Sequence, residues 1–334
     1  MTKVAVLGAG AFGTALAKVL AEQSNPTKLW ARRPELAREI NETHLNDRYL
    51  PATPLPATLT AVSDVAEAVT GAELVLFVVP SHATRAVAEE ARDHISKDAL
   101  ICSATKGIEN DTLMLMSEVL VDVLGEEAVP RLTYLSGPSF AKEIASGVPT
   151  AVTVAGESEE AAARVQKEFA TVNLRMYYTH DVPGVEVGGA LKNVVAIAAG
   201  AIDGLGFGLN TRAALMTRGL AEIGRLAAAK GADPLTLAGL AGMGDLVLTC
   251  TGSLSRNRTV GVELGKGRKL GEILASLGHV AEGVKTTKSA YELGQKLGVE
   301  MPITEEVYKV LYEDKPAKQA LYDLMTRPLK HEQR

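Results

Sequence analysis

Cysteine is almost missing from this chain: Cys102 and Cys250 are the only two in 334 residues. Two thiols build no disulfide framework, which excludes the stapled secreted class and suits a reducing compartment. An excess of positive charge is missing too. Lys and Arg number 35 against 40 Asp and Glu, a net charge of −5, so nothing invites nucleic acid or an anionic membrane surface. The most apolar stretch, Val194 to Gly208, looks too short and too glycine-rich to span a bilayer, and Asp203 interrupts it. The N-terminus enters a strand pattern at once and leaves no room for a signal peptide. The six histidines are scattered and no cluster has metal-ligand spacing, so no metal is expected. Low-complexity segments and internal repeats are also lacking. These absences favour a cytoplasmic protein without stable membrane association. What remains is ordinary globular material, 46% hydrophobic and 22% charged, and long enough for two cores.

The opening residues carry the strongest signal. An apolar run, Val4-Ala5-Val6-Leu7, flows into Gly8-Ala9-Gly10-Ala11-Phe12-Gly13 and then into the helical pattern Thr14 to Leu20. A strand, a G-x-G-x-x-G turn and a helix are what a dinucleotide pyrophosphate requires. Gly8 permits the tight turn, Gly10 lets backbone approach the phosphates, and Gly13 lets helix pack close on strand. Free N–H groups at the helix start then face the anion. Roughly 20 residues beyond the glycines, an NAD site usually places an acid against the ribose 2′-OH. Here Arg32 and Arg33 stand instead, and the first acid is Glu35. A guanidinium fork matches a 2′-phosphate, so NADPH is favoured, with NADH as the alternative coenzyme. A solvated basic turn ahead of a helix begun by Pro34 is the plainer explanation of the same residues.

Further strand patterns lie at residues 74–80, 99–103, 133–136, 150–155 and 174–178, separated by helical stretches. Ser81 is a candidate cap for the helix after the first of these. The alternation predicts an α/β fold, with an N-terminal Rossmann-type, doubly wound, mostly parallel sheet over residues 1–185. After that, apolar residues recur at helical spacing over 191–202, 211–230, 255–264, 284–297 and 305–312. The remainder, residues 186–334, is expected to be an all-helical substrate and catalytic domain.

Three segments join polar residues to glycine in ways a core or loop does not require. Lys106 follows a strand in Ser103-Ala104-Thr105-Lys106-Gly107, where substrate and nicotinamide should meet; a surface lysine in a turn is the alternative. Lys192 lies in Gly188-Gly189-Ala190-Leu191-Lys192-Asn193, a helix expected to be buried between the halves. Burial lowers a lysine's pKa toward the range useful for acid–base work, unless the side chain snorkels to solvent. The third segment runs from Gly242-Met243-Gly244-Asp245 to Ser255-Arg256-Asn257-Arg258. Ser255 can cap a helix there, and Arg256 and Asn257 fall on its first turn. Arginine opposes the helix dipole at that place, so anion binding explains it better than stability does, although a polar loop remains possible. Asp245 can pair with a lysine and hold it.

Joined in this order, these blocks resemble the bacterial NAD(P)-dependent glycerol-3-phosphate dehydrogenases over essentially the whole chain. The match rests on the opening glycine block, Ala104-Thr105-Lys106-Gly107, Leu135 to Ala141 (LSGPSFA), Gly189-Ala190-Leu191-Lys192-Asn193, Ser255 to Arg258, and Val280-Ala281-Glu282-Gly283. The resemblance implies reduction of dihydroxyacetone phosphate to sn-glycerol 3-phosphate for phospholipid synthesis. It further implies that Lys192 is the catalytic acid–base. Lys106, Gly137 and Ser139 would line the substrate site. Asp245 would position Lys192, and Ser255, Arg256 and Asn257 would hold the phosphate. Ala11, Phe12, Arg32, Lys106, Ala141, Arg256, Val280 and Glu282 match the family's cofactor contacts. Phe12 stands where a larger aromatic is frequent. A homodimer joined through the helical half is the expected assembly.

Three rivals fit parts of the same pattern. A 3-hydroxyacid dehydrogenase also presents a helical lysine and asparagine, but handles a carboxylate. A sugar-nucleotide dehydrogenase would use Cys250 as nucleophile. A redox sensor without turnover would need no lysine, aspartate and anion site converging on the nicotinamide.

Overall fold

The computed structural model describes residues 1–277, 281–329 and 331–332. The chain begins β1 (Val4–Leu7), α1 (Ala11–Glu22), β2 (Thr27–Trp30), α2 (Pro34–Thr43), β3 (Leu59–Val62), α3 (Val65–Val69) and β4 (Leu74–Phe77). It continues with α4 (Ser81–Ala91), β5 (Leu100–Ser103), α5 (Met116–Leu124) and β6 (Leu132–Ser136). Next come α6 (Ala141–Ala145), β7 (Thr150–Ala155), α7 (Glu159–Phe169) and β8 (Leu174–Thr179). The eight strands form one sheet in the order β3-β2-β1-β4-β5-β6-β7-β8, parallel everywhere except between β6 and β7.

β1 lies between β2 and β4, with Val4 in register with both Thr27 and Leu74. All four of its residues are buried because helices cover both faces, which is why these strands read as apolar runs rather than alternations. Strand order reverses between β1 and β4, and such a reversal opens a crevice at the strands' carboxyl ends. The glycine turn sits at that crevice. A Cβ on Gly13 would lie 1.9 Å from the Gly8 carbonyl oxygen, so only glycine lets α1 pack this close to the turn. Asn46 braces the same turn, donating to the Ala9 carbonyl at 3.0 Å and to Thr14 Oγ1 at 2.8 Å.

Within the sheet half the structure departs from the sequence reading in three places. β3 is an additional edge strand, and only Leu59 and Ala61 of its four residues point inward. A strand that short offers almost no pattern. The apolar run from Leu74 stays extended only to Phe77 before the chain turns. Ser81 is not a cap: Pro80 holds that position without a side-chain bond, and Ser81 is the first helical residue, buried. Pro34, by contrast, opens α2 as the sequence indicated.

Beyond β8 every element among the described residues is helical: α8 (Val182–Gly204), α9 (Leu209–Ala229), α10 (Pro234–Ala238), a π-helical turn (Leu240–Gly244) and α11 (Asp245–Thr251). They are followed by α12 (Arg256–Gly265), α13 (Leu270–Leu277), α14 (Glu282–Leu297), α15 (Pro302–Tyr312) and α16 (Ala317–Met325). α8 is apolar on all sides and buried on all sides, the axle of the helical half. At 23 residues it is long and apolar enough to cross a membrane, longer than the stretch read from sequence, but its surface is spent inside the protein. Against it lies α12. A Cβ on Gly261 would sit 1.9 Å from the Ile197 carbonyl, and one on Gly200 would sit 2.0 Å from the Arg258 carbonyl. This backbone-to-backbone approach fixes the start of α12 next to the middle of α8, where Lys192 stands.

Candidate active site

Three elements distant in sequence meet at one carboxylate. Asp245, at the start of α11, is 1% exposed. Lys192 of α8 donates to its Oδ1 at 2.5 Å, and Lys106, from the turn after β5, donates to its Oδ2 at 2.7 Å. Lys192 also donates to Thr249 Oγ1 at 3.1 Å, and Thr249 in turn donates to the Asp245 carbonyl at 2.7 Å. Lys106 reaches the Gly137 carbonyl at 3.2 Å, which also accepts from Ser139 Oγ at 2.8 Å. The Lys106 ammonium lies 5.8 Å from the centre of the Phe12 ring, a cation–π distance that links the turn after β5 to the glycine turn. Gly189 of α8 lies against β6 beside this cluster: an added Cβ would approach Ser136 Oγ to 2.6 Å, with Lys106 Cδ at an ordinary contact distance of 3.7 Å.

The electrostatics follow from burial. Lys192 is 8% exposed, and burial lowers its pKa to about 8 against the opposing pull of Asp245. Lys106 pushes in the same direction as burial, as a second ammonium must. Burial alone would raise the Asp245 carboxyl, but the two lysines outweigh it and hold it below its ordinary value. The result is a shielded carboxylate carrying two ammonium groups, one of which parts with its proton near neutrality. Glu282, at the first position of α14, faces the same group: burial raises its pKa against the pull of Arg256, Lys192 and Lys106.

The residues expected to hold the phosphate are placed unequally. Ser255 caps α12, accepting from the Arg258 N–H at 3.2 Å. Arg258 is committed to Asp203, which also holds Arg212. Asn257 is 9% exposed, donates to Asn193 Oδ1 at 2.8 Å and accepts from the Gly283 N–H at 3.0 Å. It therefore latches α8, α12 and α14 together one residue from Lys192. Arg256 is exposed at the helix start, with Glu282 within electrostatic reach.

On the other side of the crevice, Gly10 precedes α1 with no side chain capping the helix and no acid in its first turn. A Cβ on Gly10 would meet nothing within 4 Å, so open space lies over the free N–H groups of Ala11, Phe12 and Gly13. That cradle fits a dinucleotide pyrophosphate. Ala141 starts α6 and packs with Phe12 against the sheet's core. Arg32 and Arg33 diverge. Arg33 donates to Tyr49 Oη at 2.7 Å, while Arg32 is exposed beside the crevice. Val280 lies outside the described residues. Cys250 is buried and its thiol is pushed up to about 12 by burial, which removes the nucleophile that a sugar-nucleotide dehydrogenase would need. Among the described residues no group of His, Cys, Asp and Glu is placed to hold a metal.

Sequence reasoning did not single out Thr249, the Asn193–Asn257 latch or Asn46. Thr249 had a signal, because a hydroxyl four residues after Asp245 falls on the same helix face. The other two are long-range and had none.

Comparison with known proteins agrees with this geometry. Residues 3–162 match the family model described as NAD-dependent glycerol-3-phosphate dehydrogenase N-terminus, and residues 181–322 match its C-terminus counterpart. A glycerol-3-phosphate dehydrogenase (NAD(P)+) of Geobacter sp. strain M21 is 55% identical over 330 residues, covering 99% of this chain and 98% of that protein. The protein of the same name from Myxococcus xanthus is 55% identical over 327 residues, 98% of each. The crystal structure of glycerol-3-phosphate dehydrogenase from Coxiella burnetii superposes with a TM-score of 0.94 at 40% identity, covering 98% of this chain and 99% of that one. Two halves matched in order, over nearly the full length of these relatives, leave one conclusion: the chain belongs to the NAD-dependent glycerol-3-phosphate dehydrogenase family.

Proposed function

We propose that the protein reduces dihydroxyacetone phosphate to sn-glycerol 3-phosphate with NAD(P)H, reversibly, and so supplies glycerophospholipid synthesis. The observation that carries the reading is the Lys106–Asp245–Lys192 cluster at the sheet's carboxyl edge, beside an arginine-bearing helix start. The coenzyme, when bound along the glycine turn, supplies the hydride. Gly8, Gly10 and Gly13 with Ala11 and Phe12 form its cradle, and Ala141, Arg256, Val280 and Glu282 complete the contacts.

Lys192 holds the proton that the ketone oxygen takes up. Its lowered pKa makes the ammonium a competent acid near neutral pH, and the amine a competent base in the reverse direction. Negative charge grows on that oxygen during reduction, so Lys106, beside the same carboxylate, stabilises it. Asp245 keeps both ammonium groups aimed at one point, and Thr249 restricts Lys192 further. Gly137 and Ser139 bound the pocket. Ser255, Arg256 and Asn257 hold the phosphate end at the start of α12. Arg256 supplies the charge, Ser255 fixes the helix start, and Asn257 keeps a second amide hydrogen. Binding energy from the remote phosphate positions the ketone, so it contributes to turnover as well as affinity.

Packing supports dividing the chain at residues 185/186. Val182 and Val185 belong to the sheet's core, whereas Val187 and the buried apolar residues after it in α8 belong to the helical core. Residues 1–185 then carry the coenzyme cradle and residues 186–334 carry Lys192 and the phosphate end, with Lys106, Gly137 and Ser139 reaching the substrate from the first half and Arg256, Val280 and Glu282 reaching the coenzyme from the second. Charge and cysteine usage favour the cytoplasm, and the helical half is the proposed place for a homodimer contact. The reading is tested by absorbance at the reduced-nicotinamide band with purified protein. Rapid loss with dihydroxyacetone phosphate and little with unphosphorylated dihydroxyacetone supports it; no loss with either coenzyme overturns it.

A further inference from the structure

Glu186 is a buried acid that the proposed reaction does not use. It sits in the second turn of α8, where its carboxylate accepts from the Ser117 amide at 2.9 Å and from the Ser117 hydroxyl. Together with Ser103, Thr105, Lys106, Tyr134 and Ser136 it also lines a chamber of about 10 Å³. The sheet explains why this chamber is polar. Ser103 of β5 is in register with Tyr134 of β6, and Ser136 follows two residues later, so the three side chains share one face. α8 closes that face: Val185 packs into the core that holds Tyr134, and Gly189 lies against Ser136.

Two hydroxyls of the wall are engaged. Ser103 Oγ accepts from the Thr105 N–H at 3.4 Å, and Thr105 donates to the Val79 carbonyl at 2.8 Å. Ser136 differs: it is 2% exposed and lines the chamber, yet its hydroxyl has no hydrogen-bond partner among the described residues. A buried hydroxyl left unpaired is destabilising, and a polar chamber with room for one water molecule is the usual remedy. The walls supply what such a water needs. Ser136 can donate or accept, and burial pushes the Glu186 carboxyl up to about 7, so near neutrality it can donate as well as accept. The lysine in the wall links the chamber to the chemistry. Lys106 spends two of its three N–H groups on Asp245 and the Gly137 carbonyl, at 2.7 and 3.2 Å, from a flexible stem. A stem bordering unfilled space is free to leave that pose, whereas one bordering a held water is not.

We propose that the chamber binds one water molecule between Ser136 and Glu186, and that this water keeps Lys106 on Asp245. Ser136 and Glu186 are then positioning residues that act through Lys106 and touch neither substrate nor coenzyme. The inference rests on the proposed role of Lys106 in ketone reduction and adds what holds that lysine in place.

The test has two readouts. In crystals, the wild-type protein should show one water within hydrogen-bond distance of both Ser136 Oγ and Glu186, and Ser136→Ala should lose it. A dry chamber in the wild type, or a water unmoved by Ser136→Ala, overturns the site. The second readout is single-turnover reduction of dihydroxyacetone phosphate at saturating coenzyme by wild type, Ser136→Ala, Lys106→Met and the double variant. Loss of one hydrogen bond's restraint predicts reduction about 2- to 10-fold slower in Ser136→Ala, with coenzyme affinity unchanged. On the Lys106→Met background the same substitution should have no further effect, because the side chain it acts through is gone. An unchanged rate in Ser136→Ala, or an equal fall on both backgrounds, overturns the positioning role. A wild-type enzyme that reduces no ketone phosphate refutes the activity instead, and the crystallographic readout still decides the site.

Discussion

Replacing Asp245 by asparagine removes the one negative charge from between Lys106 and Lys192 while keeping the side chain's shape. Both oxygens are used: Oδ1 accepts from Lys192 and Oδ2 from Lys106, at a position 1% exposed. If both ammonium groups stayed charged, stripping their partner in a buried site would cost about 3–5 kcal/mol. A cheaper route exists. Lys192 already titrates near 8, so giving up its proton at pH 7 costs only about 1.4 kcal/mol. Lys192 in Asp245→Asn is therefore expected to be neutral at pH 7. A charge-assisted hydrogen bond contributes roughly 1.5–3 kcal/mol, so losing it moves the Lys192 titration down by about one to two pH units. Reduction needs the ammonium form, which is present below the pKa and lost as pH rises through it. The wild-type rate of dihydroxyacetone phosphate reduction should thus decline above about pH 8. In Asp245→Asn the same decline should begin about one to two pH units lower. The assay is kcat against pH from 5.5 to 9 at saturating coenzyme, with coenzyme affinity measured separately by fluorescence. A variant slowed equally at every pH, with its decline still near 8, would show that Asp245 does not govern the proton on Lys192.

Other outcomes follow from the same geometry. Arg256→Ala removes the exposed cation at the start of α12 and should lower kcat/KM for dihydroxyacetone phosphate by about 10- to 100-fold, with little effect on unphosphorylated dihydroxyacetone; equal losses on both would argue against a phosphate contact. Cys250→Ser should retain activity, because a thiol held up near 12 is not a nucleophile; near-complete inactivation of a folded variant would revive cysteine chemistry. Glu186 is buried and its carboxyl is pushed up to about 7, so the native state holds a proton that the unfolded chain has released. Its contribution to stability is full below about pH 4.5 and lost as pH rises through about 7, a change of roughly 3 kcal/mol. Glu186→Gln should shrink the stability difference between pH 4.5 and pH 8 by that amount in urea unfolding; an identical pH dependence would contradict it.

The sequence disclosed what is local. A strand, a glycine turn and a helix occupy adjacent residues, and Ser255, Arg256 and Asn257 announce a helix start within three. It disclosed less where a feature depends on partners far away. Lys192 and Asp245 are separated by 53 residues, and their pairing came only through the family resemblance; Lys106, 139 residues from Asp245, was visible singly while its place on the same carboxylate was not. β3 escaped because two inward residues make no period, and α10, α11, α13 and α16 because short helices pack on one or two apolar contacts. Arg32 and Arg33 look equivalent in the sequence, and only Tyr49, 16 residues beyond Arg33, separates them.

The most direct test of the account is Lys192→Ala, assayed for both coenzyme binding and single-turnover reduction of dihydroxyacetone phosphate. The account predicts that NADPH still binds and that the reductive step slows by at least ~10²-fold, the lower range for a lost general acid. A variant that reduces the ketone at the wild-type rate would contradict the assignment of the proton to Lys192.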